Sequence, residues 1–232
     1  MLKIQDLAIT RGSHANPFHI HLPALHLKAG EAVALCGSSG CGKSTILEMV
    51  GLILKPDRLA SYQIYDRNTL QNIEPFIAQQ NQTQLARLRA ECFGFMLQSG
   101  GLLPFLSVQE NLALSSQILG KALDQEWLHY LVAELQISHL LQQYPKQLSI
   151  GERQRVSFIR SISHQPTVLL ADEPTAALDP SNAEKLFDII LAIVQKNQLA
   201  ALVVTHDREL IKQKAIRVIQ GQVSNNQAVF QE

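Results

Sequence analysis

The chain has no apolar run approaching the roughly 20 residues that a membrane-spanning helix needs; stretches such as Leu199 to Val204 are far shorter. Nothing in it is expected to cross a bilayer. It also lacks an excess of either charge, since 20 Lys and Arg balance 20 Asp and Glu for a net charge of zero. That balance argues against a protein that holds nucleic acid by bulk electrostatics. Cysteine is scarce: Cys36, Cys41 and Cys92 fit neither a zinc site nor a CxxC pair, which suits free structural thiols in a reducing compartment. The opening Met1-Leu2-Lys3-Ile4-Gln5-Asp6 carries an early acid and no apolar stretch of signal length, so a cytosolic chain is expected. Repeats and low-complexity linkers are missing too. What is present is a chain of 232 residues, 46% hydrophobic and 17% charged, with ample material for the core of one large domain or two small ones.

The apolar pattern predicts an α/β fold. Ala32 to Cys36 forms a short apolar run ending at Gly37, followed by a Gly/Ser-rich turn and then helical spacing from Lys43 to Val50; this reads as strand, loop, helix. Val168 to Ala171 leads into Asp172-Glu173-Pro174, and Ala200 to Val204 leads into Thr205-His206-Asp207. Both look like central strands of a parallel sheet with polar residues at their ends. Between 181 and 197 an N-cap candidate at Ser181 precedes Leu186, Ile189, Ile190 and Ile193 on one face, the pattern of a crossover helix. Residues 99–165 offer helical patterns at 107–117, 124–136 and 149–164 and no such strands. A helical subdomain is thus expected to interrupt a core made of 1–98 and 166–232. Strand-like alternation in the first 30 residues and at Ile216 to Ile219 predicts a β-rich edge.

Gly37-Ser38-Ser39-Gly40-Cys41-Gly42-Lys43-Ser44 fits G-x-x-x-x-G-K-[ST] with a strand before it and a helix after it, the context that the phosphate loop requires. Glycines let successive backbone N–H groups point at phosphate oxygens, and the helix opening at Lys43 adds the positive end of its dipole. Lys43 supplies charge for the β- and γ-phosphates, the Ser44 hydroxyl is placed for Mg²⁺, and Thr45 follows in the loop. A turn that merely joined strand to helix would leave positions 43 and 44 free to be anything. Asp172, after four apolar residues, has the character of a strand-end carboxylate that holds Mg²⁺. Adjacent strand residues point to different sides, so Glu173 is expected to face an attacking water as general base.

The rest of the chain resembles the ATP-binding subunit of ABC transporters over nearly its whole length. The family's elements follow in order: Gln98 in Phe95-Met96-Leu97-Gln98 looks like the Q-loop glutamine, and Leu148-Ser149-Ile150-Gly151-Glu152 resembles the signature motif. Ala177-Leu178-Asp179 looks like the D-loop, and His206 matches the switch histidine. The resemblance implies a RecA-like P-loop core, ATP and Mg²⁺ as ligands, and ATPase activity that drives an integral membrane permease. It implies two ATP-binding subunits packed head to tail, either two copies of this chain or this chain and a paralogue. Lys43, Ser44, Gln98, Asp172, Glu173 and His206 then serve in cis and Ser149 and Gly151 in trans, with the D-loop Asp179 also among the nucleotide-binding residues.

Two positions depart from the family pattern. Ile150 stands where glycine is usual, and Arg11 stands where an aromatic usually stacks on adenine, with Phe18, His14 and His19 as substitutes in reach. Trp127 reads as packing. The segments 84–98 and 101–112 are similar to the lipoprotein-releasing and macrolide-export branch, which implies attachment to the cytoplasmic face of the inner membrane through the partner. There the resemblance implies that the apolar Leu102 to Leu106 meets the partner's coupling helix, while ordinary packing under the helical subdomain explains the same residues equally well. A regulatory ATP switch in a cell-envelope or cell-division complex stays open as the other reading, kept alive by Ile150 and Arg11.

Overall fold

Buried and exposed residues alternate along β1 (Leu2–Ser13) and β2 (Asn16–Leu27), as strands with one wet face do. Their antiparallel register pairs Leu2 with Leu27 and Ile9 with Ile20. A computed structural model describes residues 1–13, 15–66 and 69–232. After the hairpin come β3 (Ala32–Gly37) and α1 (Lys43–Val50), then the hairpin of β4 (Ser61–Asp66) and β5 (Thr69–Asn72). Helices α2 (Glu74–Ala78) and α3 (Gln82–Cys92) lead to β6 (Phe93–Met96). Three helices follow: α4 (Val108–Ile118), α5 (Gln125–Glu134) and α6 (Ile150–Ile162), with short 3₁₀ turns before the last. The chain returns through β7 (Val168–Asp172), α7 (Pro180–Lys196), β8 (Ala200–Val204), α8 (Arg208–Gln213), β9 (Arg217–Ser224) and β10 (Gln227–Gln231).

All ten strands join one sheet, in the order β5-β4-β1-β2-β10-β9-β3-β8-β7-β6. The expected β-rich edge is therefore continuous with the core: β9 runs parallel to β3 and antiparallel to β10, and so carries the sheet from one half to the other. Pairings β3·β8, β8·β7 and β7·β6 are parallel. Every residue of β8 is buried, because successive side chains enter opposite faces and both faces are covered. Leu202 and Val204 belong to the core on the α1 and α3 side, whereas Ala201 and Val203 belong to the core under α4 to α7. Trp127 packs as expected, with its indole N–H donating to the Ile162 carbonyl at 3.0 Å and its ring stacked on Tyr130. The three cysteines are buried and none is in a disulfide.

Three features differ from expectation. The β4–β5 hairpin, β6 and helices α2 and α3 carry no signal that the apolar pattern alone revealed. The N-cap of α7 is Asp179, whose carboxylate accepts from the Asn182 N–H, while Pro180 fills the first helical position. Ser181 is inside the helix and exposed: proline needs no N–H bond and has a φ suited to the first turn, so the helix opens two residues earlier. The third difference is at Glu173. The strand ends at Asp172, and Glu173 adopts φ +51°, so the two carboxylates diverge through a left-handed residue as well as through strand alternation.

Candidate functional site

The carboxyl ends of β3, β7 and β8 converge on a cleft of about 710 Å³. The sequence places there the residue types that parallel sheets leave at their strand ends. Gly42 precedes α1 with φ +102°, and a Cβ on it would lie 2.5 Å from Ile20 Cδ1, so only glycine fits between β2 and the loop. Helix α1 begins with no side-chain cap and no acid in its first turn. Its first N–H groups thus remain available, and its positive dipole end is uncompensated. Lys43 is buried, with Nζ donating to the carbonyls of Gly37 at 3.1 Å and Ser38 at 3.0 Å. The loop holds its own lysine in the place where a phosphate would attract it.

Across the cleft the Ser44 hydroxyl donates to Asp172 Oδ2 at 3.0 Å. A hydroxyl and a carboxylate oxygen from two elements, side by side and next to the phosphate loop, are the hard oxygen donors that Mg²⁺ takes along with nucleotide phosphates. Among the described residues no group of three or more His, Cys, Asp and Glu is arranged to hold a metal ion by itself. Glu173 is buried, and its Oε1 lies 3.2 Å from His206 Nε2, while the His206 N–H donates to Oε2 at 3.4 Å. Burial pushes the Glu173 carboxyl above the usual carboxylate range, against the pull of the His206 imidazole and N–H. A carboxylate shifted toward neutrality and set at the mouth of a phosphate cleft can accept a proton from water.

The structure sorts the expected site residues into groups. Ser39, Gly40, Gly42, Lys43, Ser44 and Thr45 line the first cleft, and Gln98, Asp172, Glu173 and His206 line it with them. Gly37 and Ser38 act on it through the carbonyls that hold Lys43, and Cys41 is buried with its sulfur against Gly37. Ser149, Gly151 and Asp179 are elsewhere, together lining a second cleft of about 870 Å³ where α6 meets α7. There Ser149 caps α6 in a closed box. Its hydroxyl and its N–H both donate to Glu152 Oε2 at 2.7 Å, and the Glu152 N–H returns a bond to Ser149 Oγ at 3.3 Å. These bonds from Ser149 hold the Glu152 carboxyl below its usual range. The Ser-x-x-Glu spacing at 149–152 is the signal that finds Glu152. Ile150 occupies the first helical position with its side chain about half exposed. Asp179 accepts from both Asn182 N–H groups, and the side-chain bond leads in lowering its pKa.

For the base, β1 and β2 decide among the aromatic and basic candidates. Arg11 pairs with Phe18, and Ile9 pairs with Ile20, the residue packed on Gly42. Cross-strand partners and residues two apart share a face, so Arg11 and Phe18 lie on the phosphate-loop side. His19 pairs with Thr10, whose hydroxyl is 3.0 Å from His19 Nδ1, on the opposite face. His14 lies outside the described residues. Beyond Gln98, Phe105 is 72% exposed while Leu102 is partly buried against the core under the helices, so this apolar stretch is surface at Phe105 and packing at Leu102; Leu97, just before Gln98, is 49% exposed.

A phosphate loop at a strand–helix junction, an acid pair ending a neighbouring strand and a histidine ending the next define a P-loop nucleotide hydrolase. Comparison with known proteins places the chain more narrowly. Residues 21–176 match the ABC transporter family model, and the chain belongs to that family. It is 38% identical over 207 residues to the lipoprotein-releasing system ATP-binding protein LolD of Paramagnetospirillum magneticum, covering 88% of this chain and 83% of that one. Against LolD of Idiomarina loihiensis it is 39% identical over 189 residues, 81% and 79% of the two chains. HrtA of Staphylococcus aureus, whose name ascribes it to hemin import, is 36% identical over 196 residues, 84% of each chain. Among solved structures the dimeric bacterial ABC transporter cassette MJ0796 superposes with a TM-score of 0.77 at 26% identity, covering 98% of this chain and 96% of that one. A post-hydrolysis MJ0796 dimer bound to ADP and phosphate superposes at 0.78 and 25% identity, with the same coverage. The chain is thus an ATP-binding cassette of the ATPase kind.

Proposed function

We propose that this chain hydrolyses ATP to power a separate integral membrane permease of the lipoprotein-release or macrolide-export kind, attached to the cytoplasmic face of the inner membrane through that partner. Among the described residues no helix is long and apolar enough to cross a membrane, so membrane work calls for a second protein. The permease would meet the exposed Leu97 and Phe105 surface. The LolD relatives support lipoprotein release as the cargo class.

The observation that carries the ATPase reading is Glu173, buried beside His206 at the cleft mouth with its pKa raised. In this reading the phosphate-loop amides and Lys43 bind the triphosphate, with Lys43 leaving the carbonyls of Gly37 and Ser38 to do so. Phe18 and Arg11 shelve the base. Ser44, Asp172 and Gln98 would hold Mg²⁺, which when bound neutralises charge on the β- and γ-oxygens. Glu173 takes the proton of the attacking water, and His206 keeps that carboxylate oriented and ionised. Ser149, Gly151 and Asp179 complete the site of a second subunit, a second copy of this chain being the simplest partner.

The test is ATP turnover of the wild type beside Glu173→Gln, each also run on a sizing column in ATP and Mg²⁺. Loss of the general base should cut turnover by about 10²–10⁴-fold while ATP binding persists, and the variant should be held as a dimer. Turnover at the wild-type rate in the variant removes Glu173 from the chemistry and the reading with it.

A further inference from the structure

The signature helix α6 does more than present Ser149. Three of its side chains reach back over 56 to 59 residues to the loop that follows Gln98. Gln154 Nε2 donates to the Gln98 carbonyl at 3.3 Å, Ser157 Oγ donates to the Gly100 carbonyl at 2.7 Å, and Arg160 Nη1 donates to the Gly101 carbonyl. Steps of three along a helix keep side chains on one face. The loop is shaped to receive them: Gly100 at φ +78° and Gly101 at φ +62° are left-handed in succession, just after β6 has ended at Met96. Gln154 and Ser157 are buried, at 4% and 2% exposure.

The three bonds are unequal. The Gln154 bond is longer than that of Ser157, and its other amide atom, Oε1, is buried with no hydrogen-bond partner among the described residues. Native proteins leave few buried polar atoms unmet, and such an atom calls for an explanation. Here the half-used amide sits between Gln98, whose side chain lines the nucleotide cleft, and Ser149, five residues and about 7.5 Å of helix away.

We propose that Gln154 is the positioning residue through which ATP in the cleft sets the orientation of the Ser149 end of α6. Ser157 and Arg160 hinge the helix on the loop, and Gln154 is the adjustable tie. When Gln98 turns toward nucleotide its carbonyl moves with it, Gln154 follows, and Oε1 becomes the acceptor in the second arrangement. An isolated helix would pass such a displacement to its own end as a rigid rod. The proposal rests on the composite-site reading above, in which the Ser149 end meets the partner's ATP.

The test uses the full chain in the Glu173→Gln background, with Gln154→Leu added. Leucine fills the volume, removes the amide and removes the unmet oxygen, so the melting temperature and the ATP affinity of the lone chain should hold or improve. ATP-driven dimerisation on a sizing column should weaken by about tenfold, within the usual range for coupling between sites. Gln154→Met, unbranched like glutamine, serves if leucine disturbs the fold, and should weaken dimerisation likewise. Dimerisation equal to the parent's overturns the role of Gln154 and leaves the composite site standing. Loss of dimer only in step with lost melting temperature or lone-chain ATP affinity marks the residue as structural and also overturns it. Failure of the Glu173→Gln parent to dimerise overturns the composite site and the tie together.

Discussion

Two helices of this cassette begin at functional loops, and they begin in opposite ways. Helix α1 opens with no side-chain cap and no acid in its first turn, whereas α6 opens in a closed capping box whose Glu152 carboxylate accepts both the hydroxyl and the N–H of Ser149. The carboxylates near the two loops differ in the same sense: Glu173 is pushed up by burial, and Glu152 is held down by its bonds from Ser149. A helix start free of side-chain acceptors is ready for phosphate, while at the other the Ser149 hydroxyl and N–H are engaged by a carboxylate until one of those hydrogen bonds breaks. The difference teaches that the phosphate-loop half is built within one chain. The signature half is stable alone only by answering its own donors, and a serine hydroxyl given to Glu152 is not at that moment available to anything else.

The largest test of this contrast is Lys43→Ala. Removing the one side chain that the loop cages should abolish measurable ATP binding by the lone chain in calorimetry. Changes at Ser149 or Glu152 should leave that binding intact, since neither lines the first cleft. Equal losses from both ends would break the contrast and make the signature end part of the same-chain site.

A smaller effect distinguishes the two carboxylates by pH. A general base works ionised, so activity falls as pH drops through the Glu173 pKa, and burial sets that acid limb above the ordinary carboxylate range. The His206 imidazole pulls the carboxyl down. His206→Ala removes that pull and should move the acid limb of the pH–rate profile to higher pH, beyond any change in maximal rate. Glu152, with its pKa lowered, stays ionised across the whole window, and its contribution to stability disappears only as pH falls below the ordinary carboxylate range. An unmoved limb in the His206 variant would show that imidazole and carboxylate do not interact.

Much of the phosphate-loop half is legible in sequence because it is local. Gly37 to Ser44 occupy consecutive positions, and Asp172 and Glu173 announce themselves by ending an apolar strand. The position of α7 is legible too, though its cap lies two residues before Ser181 because Pro180 opens the helix. The rest depends on pairing between distant segments. β6 shows only Phe93 to Met96 to a pattern reader, and its standing as an edge strand comes from its parallel pairing with β7. The continuity of the sheet rests likewise on β9 lying beside β3, with Cys36 opposite Gln220, and no window of sequence contains both. The ties from Gln154, Ser157 and Arg160 to the loop after Gln98 are of the same kind. Three polar residues on a helix read as a wet face until the partner carbonyls are seen, and burial reverses the inference.

The smallest and most discriminating comparison lies between two capping boxes of the same chemistry. Ser107 and Glu110 open α4 as Ser149 and Glu152 open α6: the Glu110 carboxylate accepts the Ser107 N–H at 2.7 Å and its hydroxyl at 2.8 Å. Ser107→Ala and Ser149→Ala each remove one cap, and each should cost about 1 kcal/mol of stability in denaturant unfolding. The two sites differ in what lies beyond the cap. Ser107 is buried at the start of a helix packed in the core, and Ser149 lines the open second cleft. In the Glu173→Gln background, Ser149→Ala should therefore weaken ATP-driven dimerisation while Ser107→Ala leaves it at the parent's level. Equal dimerisation by the two variants would reduce the signature serine to a cap, and the trans half of the site would then have to be carried by the backbone at Gly151.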